Sequence, residues 1–340
     1  MYSYCIKGFS RSLSILLVVL LISCSADKNE QENTFWRTNN VLPPNTGRVS
    51  EIVVVASDQL WDRQLDSIVR SIFQANIPAL PQKEAFFDLY RINPESFSNI
   101  YKTHKNILNI SLGENSSIKK LTGVWSKDQL FVNLVGATEQ KIIESLRNNS
   151  SKIMSWYLNK DCNRRLVKLS SQQEIRTKNL VSESFGLDMT IPKGFFIAEK
   201  ENGFVWLRKD QPKKNIISNI WLYAEDYHSP EQLSKRALVL LRDSIGKAHV
   251  EGNNEHSFMR TELLYEPLFS VLQENPYMVE LSGLWTMENG FLGGPFISRT
   301  ILNKQKNKII YVEGFLYCPN ERKRSYIFDL DAVLSSIKIK

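Results

Sequence analysis

Apolar side chains recur along this chain with two different spacings, and each spacing predicts one type of element. Residues 51–57 form a short apolar run that predicts a buried strand, and apolar residues at helical spacing follow it. Two more strands are predicted at residues 106–112 and 129–135, and a helix is predicted after Thr138, which can cap its first turn. Strands that alternate with helices indicate an α/β layer domain, which we assign to residues 48–169.

The stretches between these elements carry weaker patterns. We expect a loop at residues 76–84, extended backbone at residues 86–92 and a short helix near residues 94–103. Extended residues 124–125 are predicted to pair with the strand that follows them. A polar span at residues 170–184 then separates the first domain from a second.

The second region, residues 185–340, is rich in extended segments. A helix is predicted from Ser229 to about Ile245, because serine is a good N-cap and proline suits the first helical position. Strands are predicted at residues 187–196, 203–208, 215–223, 279–287, 295–302 and 308–317, with a closing helix at residues 326–336. This pattern predicts a mostly antiparallel sheet with packed helices. The expected fold class is therefore α+β, with two α/β-type layer domains.

The first residues carry the pattern of a secretion signal. Lys7 and Arg11 precede an apolar stretch at residues 13–22. This stretch is too short for a membrane-spanning helix, which needs about 20 apolar residues. The sequence LISC at residues 21–24 resembles the lipobox of bacterial lipoprotein precursors. An ordinary signal peptide with a chance cysteine and a buried amphipathic start are the alternatives.

The resemblance to the lipobox implies that residues 1–23 are removed and that Cys24, the new N-terminus, carries acyl chains that bind a membrane. Each buried CH₂ group contributes about 0.8 kcal/mol, so two or three chains make the anchor permanent. Residues 24–47 begin with a polar tract, which is typical of a flexible tether. Ser25 differs from the aspartate that retains enteric lipoproteins in the inner membrane, which favours the outer membrane of the cell envelope.

Composition agrees with a folded envelope protein. Apolar residues make up 42% of the chain and aromatic residues 11%, which supports packed cores. The formal net charge of +7 is carried by dispersed residues, so no nucleic-acid partner is expected. The basic clusters at residues 304–308 and 322–324 are interpreted as solvated turns. Cys162 and Cys318 remain after processing, either as a disulfide or as two buried free thiols.

No sequence pattern predicts a cofactor or a metal. The turn at residues 56–59 lacks the glycines that let a backbone approach a phosphate. The histidines lack the spacing of a zinc-binding helix, so we expect surface or packing roles for His104, His228, His249 and His256. The Gly-x-Ser-x-Gly pattern of a serine hydrolase is also absent from the sequence.

Carboxylates leave one enzymatic alternative open. Glu288 and Glu313 lie among aromatic residues of the kind that contact sugars, so they are candidates for glycan hydrolysis if their strands pair. A packed core with an ion pair between Glu313 and Arg299 is the other interpretation. Asn289-Gly290 is typical of a hairpin, although the glycines after it could also form an anion-binding nest.

Five residues are candidates for contacting a partner. Leu80, Pro81 and Gln82 form an exposed loop that could dock on another protein or pack as a turn. Trp285 and Arg299 could line a cleft with the candidate carboxylates and this loop.

Six landmarks cover nearly the whole of the chain after the signal. They are EIVVV at 51–55, LPQ at 80–82 with Glu84 and Phe86, KNIL at 105–108, GLW at 283–285, GGPF at 293–296 and EGFLYCP at 313–319. Together they resemble an uncharacterised, domain-of-unknown-function family of Gram-negative lipoproteins. The resemblance implies no catalytic residues.

The second region also offers a looser resemblance. Its IPKG opening at residues 191–194, the helix from Ser229 and the terminal helix are similar in order to the PsbP-like fold. Such domains mostly act as adaptors or assembly factors at membranes, which is an analogy of fold alone. We therefore expect a lipid-anchored, non-catalytic module that binds an envelope protein or glycan, with a carboxylate-dependent glycan hydrolase as the alternative.

Overall fold

The computed structural model describes residues 41–61 and 63–340. The predicted signal peptide and Cys24 lie outside these residues, as does most of the predicted tether. Among the residues described, no helix combines the length and the apolar character needed to cross a membrane. The described chain forms two large sheets, and the parts that carry them are called the N-terminal half and the C-terminal half below.

The N-terminal half contains a five-stranded sheet in the order β2-β1-β3-β5-β4. Its strands are β1 (Glu51–Val55), β2 (Asp88–Ile92), β3 (Asn106–Leu112), β4 (Ser117–Thr122) and β5 (Leu130–Gly136). β1 is parallel to β2 and β3, and β3 is parallel to β5, whereas β4 is antiparallel to β5. The predicted α/β layer is confirmed, because this mostly parallel sheet has helices packed on it.

The partner predicted for β5 is wrong. Residues 124–125 lie outside the sheet, and β4 occupies the edge beside β5 instead. β4 exposes Lys119 and Lys120 and has no fully buried residue. A strand with this little burial leaves no apolar alternation in the sequence, so the pattern could not show it.

Helices cover one face of the N-terminal sheet. They are α1 (Arg63–Phe73) and α3 (Glu139–Ser170), while the short α2 (Asn99–Lys102) precedes β3. Thr138 caps α3 as predicted, since its hydroxyl accepts a hydrogen bond from the Lys141 backbone N–H at 3.3 Å. Further along α3, the buried Tyr157 hydroxyl donates to the Ile107 carbonyl oxygen at 2.9 Å. This bond fixes the helix against β3.

The C-terminal half contains an eight-stranded sheet whose described pairs are all antiparallel, as predicted. Its order is β10-β12-β13-β14-β9-β8-β7, and β11 also pairs with β12. These strands are β7 (Phe196–Glu201), β8 (Phe204–Gln211), β9 (Ile216–Asp226), β10 (Phe258–Thr261), β11 (Leu268–Glu274), β12 (Tyr277–Glu288), β13 (Gly293–Asn303) and β14 (Lys308–Tyr317). β6 (Leu187–Asp188) and β15 (Lys338–Ile339) form a small second sheet.

Helices cover both faces of this larger sheet. They are α4 (Ile175–Phe185), α5 (Lys235–His249) and α6 (Arg324–Ser335). β14 shows why both faces must be covered: Ile310 and Val312 belong to the core beneath α4 and α6, whereas Tyr311 and Phe315 belong to the core beneath α5. Because successive residues of a strand face opposite sides, this double burial requires apolar residues at nearly every position.

Helix α4 lies where a polar linker was predicted. Thr177, Val181 and Phe185 are spaced four apart and are its buried residues, so only one narrow stripe faces the core. The helix ends at Gly186, whose φ of +65° is the left-handed conformation that glycine adopts readily. The stripe is too narrow to stand out from the polar residues around it, and for this reason the sequence pattern indicated a linker.

The single helix predicted from Ser229 is divided in the structure into a short 3₁₀ helix and α5. Ser229 and Gln232 form a capping box around a short 3₁₀ helix at Pro230–Leu233. α5 begins after Ser234, whose hydroxyl accepts a hydrogen bond from the Ala237 backbone N–H at 3.3 Å. The hairpin predicted at Asn289-Gly290 is confirmed, since residues 289–292 connect the antiparallel β12 and β13.

A buried ion pair lies in the core between α5 and the sheet. Arg242 and Glu313 are fully buried, and two nitrogens of Arg242 each lie 3.1 Å from a Glu313 oxygen. The Tyr311 hydroxyl donates to the same carboxylate, and the Arg242 guanidinium lies 4.1 Å from the centre of the Phe296 ring. The ion pair predicted between Glu313 and Arg299 is wrong, because Arg299 is on the other face of the sheet and pairs with Asp331.

Burial raises the pKa of Glu313 from 4.5 to about 7, although the adjacent Arg242 works in the opposite direction. Between these two pH values, the folded chain binds a proton that the unfolded chain has released. The free energy of unfolding should therefore fall by about 3 kcal/mol as the pH rises from 4.5 to 7. Urea unfolding across this range measures the change. Glu313→Gln should lose this part of the pH dependence, and an unchanged pH profile in that variant would contradict the assignment.

The two halves meet where a loop of the first half caps a helix of the second. The buried Glu84 carboxylate accepts hydrogen bonds from the backbone N–H groups of Lys323 at 2.7 Å and Arg324 at 3.0 Å. These groups begin α6, which has no capping side chain of its own. A carboxylate suits this position because the first N–H groups of a helix lack partners and carry partial positive charge.

We expect Glu84→Ala to lower the free energy of unfolding by about 2 kcal/mol, because two charge-assisted hydrogen bonds are lost from a buried helix end. Urea denaturation of the variant and the parent chain measures the difference. Lys83→Ala, at the neighbouring exposed position, is the matched control. Equal stability of the two variants would show that the loop does not cap α6.

Candidate functional site

A cleft of about 1230 Å³ lies between the two halves. Its walls come from the amino-terminal ends of β1, β2, β3 and β5, the last turns of α3 and the first turns of α6. Nucleotide-binding sheets hold ligands at the opposite edge, outside the carboxyl ends of their strands. The cleft is therefore a different kind of site from the one that a strand followed by a helix would suggest.

The buried carboxylate of Asp161 does not line the cleft itself but holds two residues of its floor, Ser50 and Arg164. One oxygen accepts a hydrogen bond from the Ser50 backbone N–H at 2.6 Å. The other accepts from the Asn106 side chain at 3.1 Å and pairs with Arg164 at 2.6 Å. Arg164 also pairs with Asp128 at 3.0 Å. These contacts bind α3 to the beginnings of β1, β3 and β5.

Arg165 connects this floor to the C-terminal half. Its buried guanidinium pairs with Asp329 of α6 at 2.7 Å and donates to the Ser325 carbonyl oxygen at 3.2 Å. It also donates to the Ser50 hydroxyl at 3.2 Å. On the other side of the cleft, Arg324 pairs with Asp88 at the start of β2. Charged side chains from both halves thus hold the two walls in place.

Positive charge exceeds negative charge along the cleft. Seven lysine and arginine side chains line it, against four carboxylates. Arg164, Arg165 and Arg324 have carboxylate partners, as described above. The remaining four form no ion pair within residues 41–61 and 63–340, and they are Arg48, Lys105, Lys168 and Arg322. This surplus suits an anionic ligand, whose charge would compensate it.

Lys105 has the most unusual environment of these four. Burial, and then the positive charge of Arg164, lower the pKa of its amine. Both effects disfavour the charged form of Lys105. The carboxylates of Asp161, Glu51 and Asp128 offset them in part, and an anion in the cleft would offset them further. The arrangement therefore has the electrostatics of a site that is completed by negative charge.

The carboxylates of the cleft have structural partners. Although burial acts in the opposite direction, hydrogen bonds from Lys160 and Arg164 lower the pKa of Asp128. Glu51 accepts a hydrogen bond from the Arg48 backbone N–H at 2.7 Å. A general acid needs a raised pKa, so Asp128 suits binding better than acid catalysis.

The structure keeps the two candidate catalytic carboxylates apart. Glu313 is opposite Ser298 of β13, which is opposite Leu281 of β12, so the strands of Glu288 and Glu313 do not pair directly. Glu288 lies seven positions beyond Leu281, or about 23 Å at the usual rise of a strand. Paired glycosidase carboxylates are about 5 to 10 Å apart. Glu288 pairs with Arg260 near the surface instead.

Trp285 and Arg299 do not share a cleft. Trp285 is 4% exposed, and its indole N–H donates to the Leu316 carbonyl oxygen at 3.2 Å in the core beneath α5. Arg299 faces α6, where it pairs with Asp331 at 2.6 Å and donates to the Ser335 hydroxyl at 2.9 Å. Both residues therefore stabilise the packing of the C-terminal half.

The Leu80-Pro81-Gln82 loop is part of the contact between the halves. Leu80 packs against the core beneath α6, and the Gln82 side chain accepts a hydrogen bond from the Lys323 amine at 2.6 Å. Pro81 is exposed. The loop thus docks within the chain, next to Glu84.

The sequence analysis did not identify the residues of the cleft, because they are dispersed along the chain. They come from four separate stretches: residues 45–51, 88–90, 163–169 and 322–329, with single residues between them. The basic cluster at residues 322–324, interpreted as a solvated turn, was the only sequence signal for the cleft.

Cys162 and Cys318 are free thiols and form no disulfide with each other, and burial raises the pKa of each.

Comparisons with known proteins place the two halves in separate family models. Residues 45–170 match the model described as Domain of unknown function (DUF8532), and residues 174–336 match that described as Domain of unknown function (DUF4837). No curated protein sequence matches the chain.

Among solved structures, a mutant of protein Mog1 is 10% identical to this chain, with a TM-score of 0.32, over 45% of this chain and 90% of that one. The Saccharomyces cerevisiae Ran-binding protein Mog1p is 10% identical, with a TM-score of 0.33 and the same coverage. The two family models confirm the predicted resemblance to uncharacterised domains of unknown function. Each half of the chain thus matches a family model of unknown function, DUF8532 in the N-terminal half and DUF4837 in the C-terminal half.

Proposed function

We propose that the protein is a lipid-anchored, non-catalytic binding module of the cell envelope whose cleft receives an anionic glycan segment. One observation carries the proposal: four cationic side chains without carboxylate partners among the described residues converge on a concave cleft. Phosphate or carboxylate groups on a ligand would supply the missing negative charge. A cleft of this size suits a chain of a few sugars better than a flat protein surface.

An exposed aromatic ring supports a sugar ligand in particular. Tyr90 lies on β2 at the wall of the cleft and is 51% exposed. Aromatic rings bury their apolar faces against ligands while their hydroxyl groups remain hydrated. Charge from the lysine and arginine residues, together with this ring, matches the mixed polar and apolar surface of an anionic glycan.

The proposed anchor leads directly to this cleft. Asn45 and Gly47, at the end of the predicted tether, and the adjacent Arg48 are among the residues that line it. A tether of residues 24–47 would therefore connect the acylated Cys24 to the wall of the binding site. The outer membrane is the proposed location, on the basis of Ser25 beside Cys24.

Removing positive charge from the cleft should weaken binding of an anionic glycan. We expect Lys168→Glu and Arg322→Glu each to reduce the affinity for an oligogalacturonate by about tenfold, because a charge-assisted contact contributes about 1.5 to 3 kcal/mol. Both side chains are exposed, so the fold should tolerate the change. Calorimetric titration measures the affinity. Lys119→Glu, on the exposed edge strand β4, is the matched control.

A neutral maltooligosaccharide tests the part played by charge. Equal binding of the two glycans, or equal affinity of the variants and the control, would contradict the cleft as an anion site. Chromatography of the oligogalacturonate after incubation tests the enzymatic alternative. Release of shorter chains would support a hydrolase over a binding module.

The lipid anchor has a separate test. Cys24→Ala removes the sulfur that would be acylated, so the variant should leave the membrane fraction and lose labelling by a palmitate analogue. Cell fractionation and labelling of the full chain measure both effects. Cys5→Ala, within the predicted signal peptide, is the control. Labelling of Cys24→Ala at the level of the parent chain would disprove the anchor.

A further inference from the structure

Three side chains that can bind a metal converge at the β7 edge of the larger sheet. None of the three lines the cleft. Glu199 and Glu201 lie on the edge strand β7, and His249 is the last residue of α5. One ligand atom from each of the three lies within 4.8 Å of the others. His249 lies 50 positions from Glu199 and 48 from Glu201, so no spacing pattern could predict the cluster.

The protein holds the imidazole in a defined orientation. The rings of His249 and Phe204 are stacked, with their centres 3.7 Å apart and their planes at 15° to one another. Nδ1 of His249 lies 2.7 Å from a Glu199 carboxylate oxygen. The ring is therefore packed on an apolar face while its nitrogen points towards the carboxylates, as a metal ligand requires.

The two carboxylates of the cluster have only one imidazole as a possible positive partner among the described residues. Neither glutamate forms an ion pair with a lysine or an arginine in the part of the chain that the structure describes, and His249 is the partner of Glu199 alone. Two carboxylates this close repel each other. A divalent cation between them would remove the repulsion, which a single imidazole does not.

We propose that Glu199, Glu201 and His249 form a binding site for a divalent transition metal such as Zn²⁺. One imidazole nitrogen and two carboxylate oxygens are a donor set that zinc accepts, with water at the fourth position. The metal takes the place of the proton between His249 Nδ1 and the Glu199 oxygen, and that proton leaves to solvent. Mg²⁺ prefers oxygen ligands alone and should bind less tightly.

The metal would connect two elements that belong to different layers. β7 is held on one side only, by its pairing with β8. α5 lies on one face of the sheet, and its C-terminal residue reaches this edge. A bound cation would therefore stabilise the free edge of the sheet against the end of α5, because a ligand that binds only the folded state stabilises it.

Zinc titration of the purified full chain in detergent tests the site by calorimetry. We expect one zinc ion per chain and weaker binding of Mg²⁺. Glu201→Gln should reduce the zinc affinity by at least about tenfold. Loss of a residue that merely orients a metal ligand costs about 10- to 100-fold in affinity, and loss of a ligand itself should cost no less. Glu201 is exposed, so this change should leave the fold intact. The melting temperature should rise with zinc in the parent chain and should rise less in the variant.

Glu255→Gln is the matched control, because Glu255 and His256 form an exposed histidine–carboxylate pair that has no third ligand among the described residues. It should bind zinc like the parent chain. His249→Gln keeps a polar side chain at the third position and should reduce the affinity as Glu201→Gln does. The absence of stoichiometric zinc binding, or unchanged affinity in both variants, would overturn the proposal.

Discussion

The arrangement of the two halves depends on the hydrogen bonds between the Glu84 carboxylate and the first backbone N–H groups of α6. A helix that begins in the interior needs partners for these groups, and α6 has none in its own sequence. Because the partner comes from the N-terminal half, α6 is fully satisfied only when the two halves are in contact. The cap therefore couples the packing of one sheet to the packing of the other.

The cleft is a consequence of this contact. Glu84 and Asp88 hold the start of α6 on one side, and Arg165 of α3 holds Asp329 on the other. These pairs use part of the charge that lines the cleft and leave four cations without carboxylate partners among the described residues. Partly buried pairs of this kind add little net stability, since desolvation cancels much of their attraction. Their effect is to fix one relative position of the walls, and this position sets the geometry of the proposed anion site.

A buried ion pair also fixes the packing inside the C-terminal half. Arg242 and Glu313 are enclosed between α5 and the sheet, and each would be costly without the other. This pairing explains why an aromatic-rich segment with a carboxylate resembles a sugar-binding site in sequence and yet forms a core. The same strand positions that hold Glu313 away from solvent also separate it from Glu288.

The sequence alone predicts those elements whose buried residues recur at regular spacing or whose turns and caps are local. β3 and β14 were predicted at their observed bounds, and the Thr138 cap and the Asn289-Gly290 hairpin were also correct, because each depends on neighbouring residues. β4 and α4 were missed because one has little burial and the other a narrow buried stripe. The cleft, the Glu84 cap and the Glu199, Glu201 and His249 cluster join residues far apart in the chain. These contacts follow from the packing of the sheets and helices, which no local sequence pattern encodes.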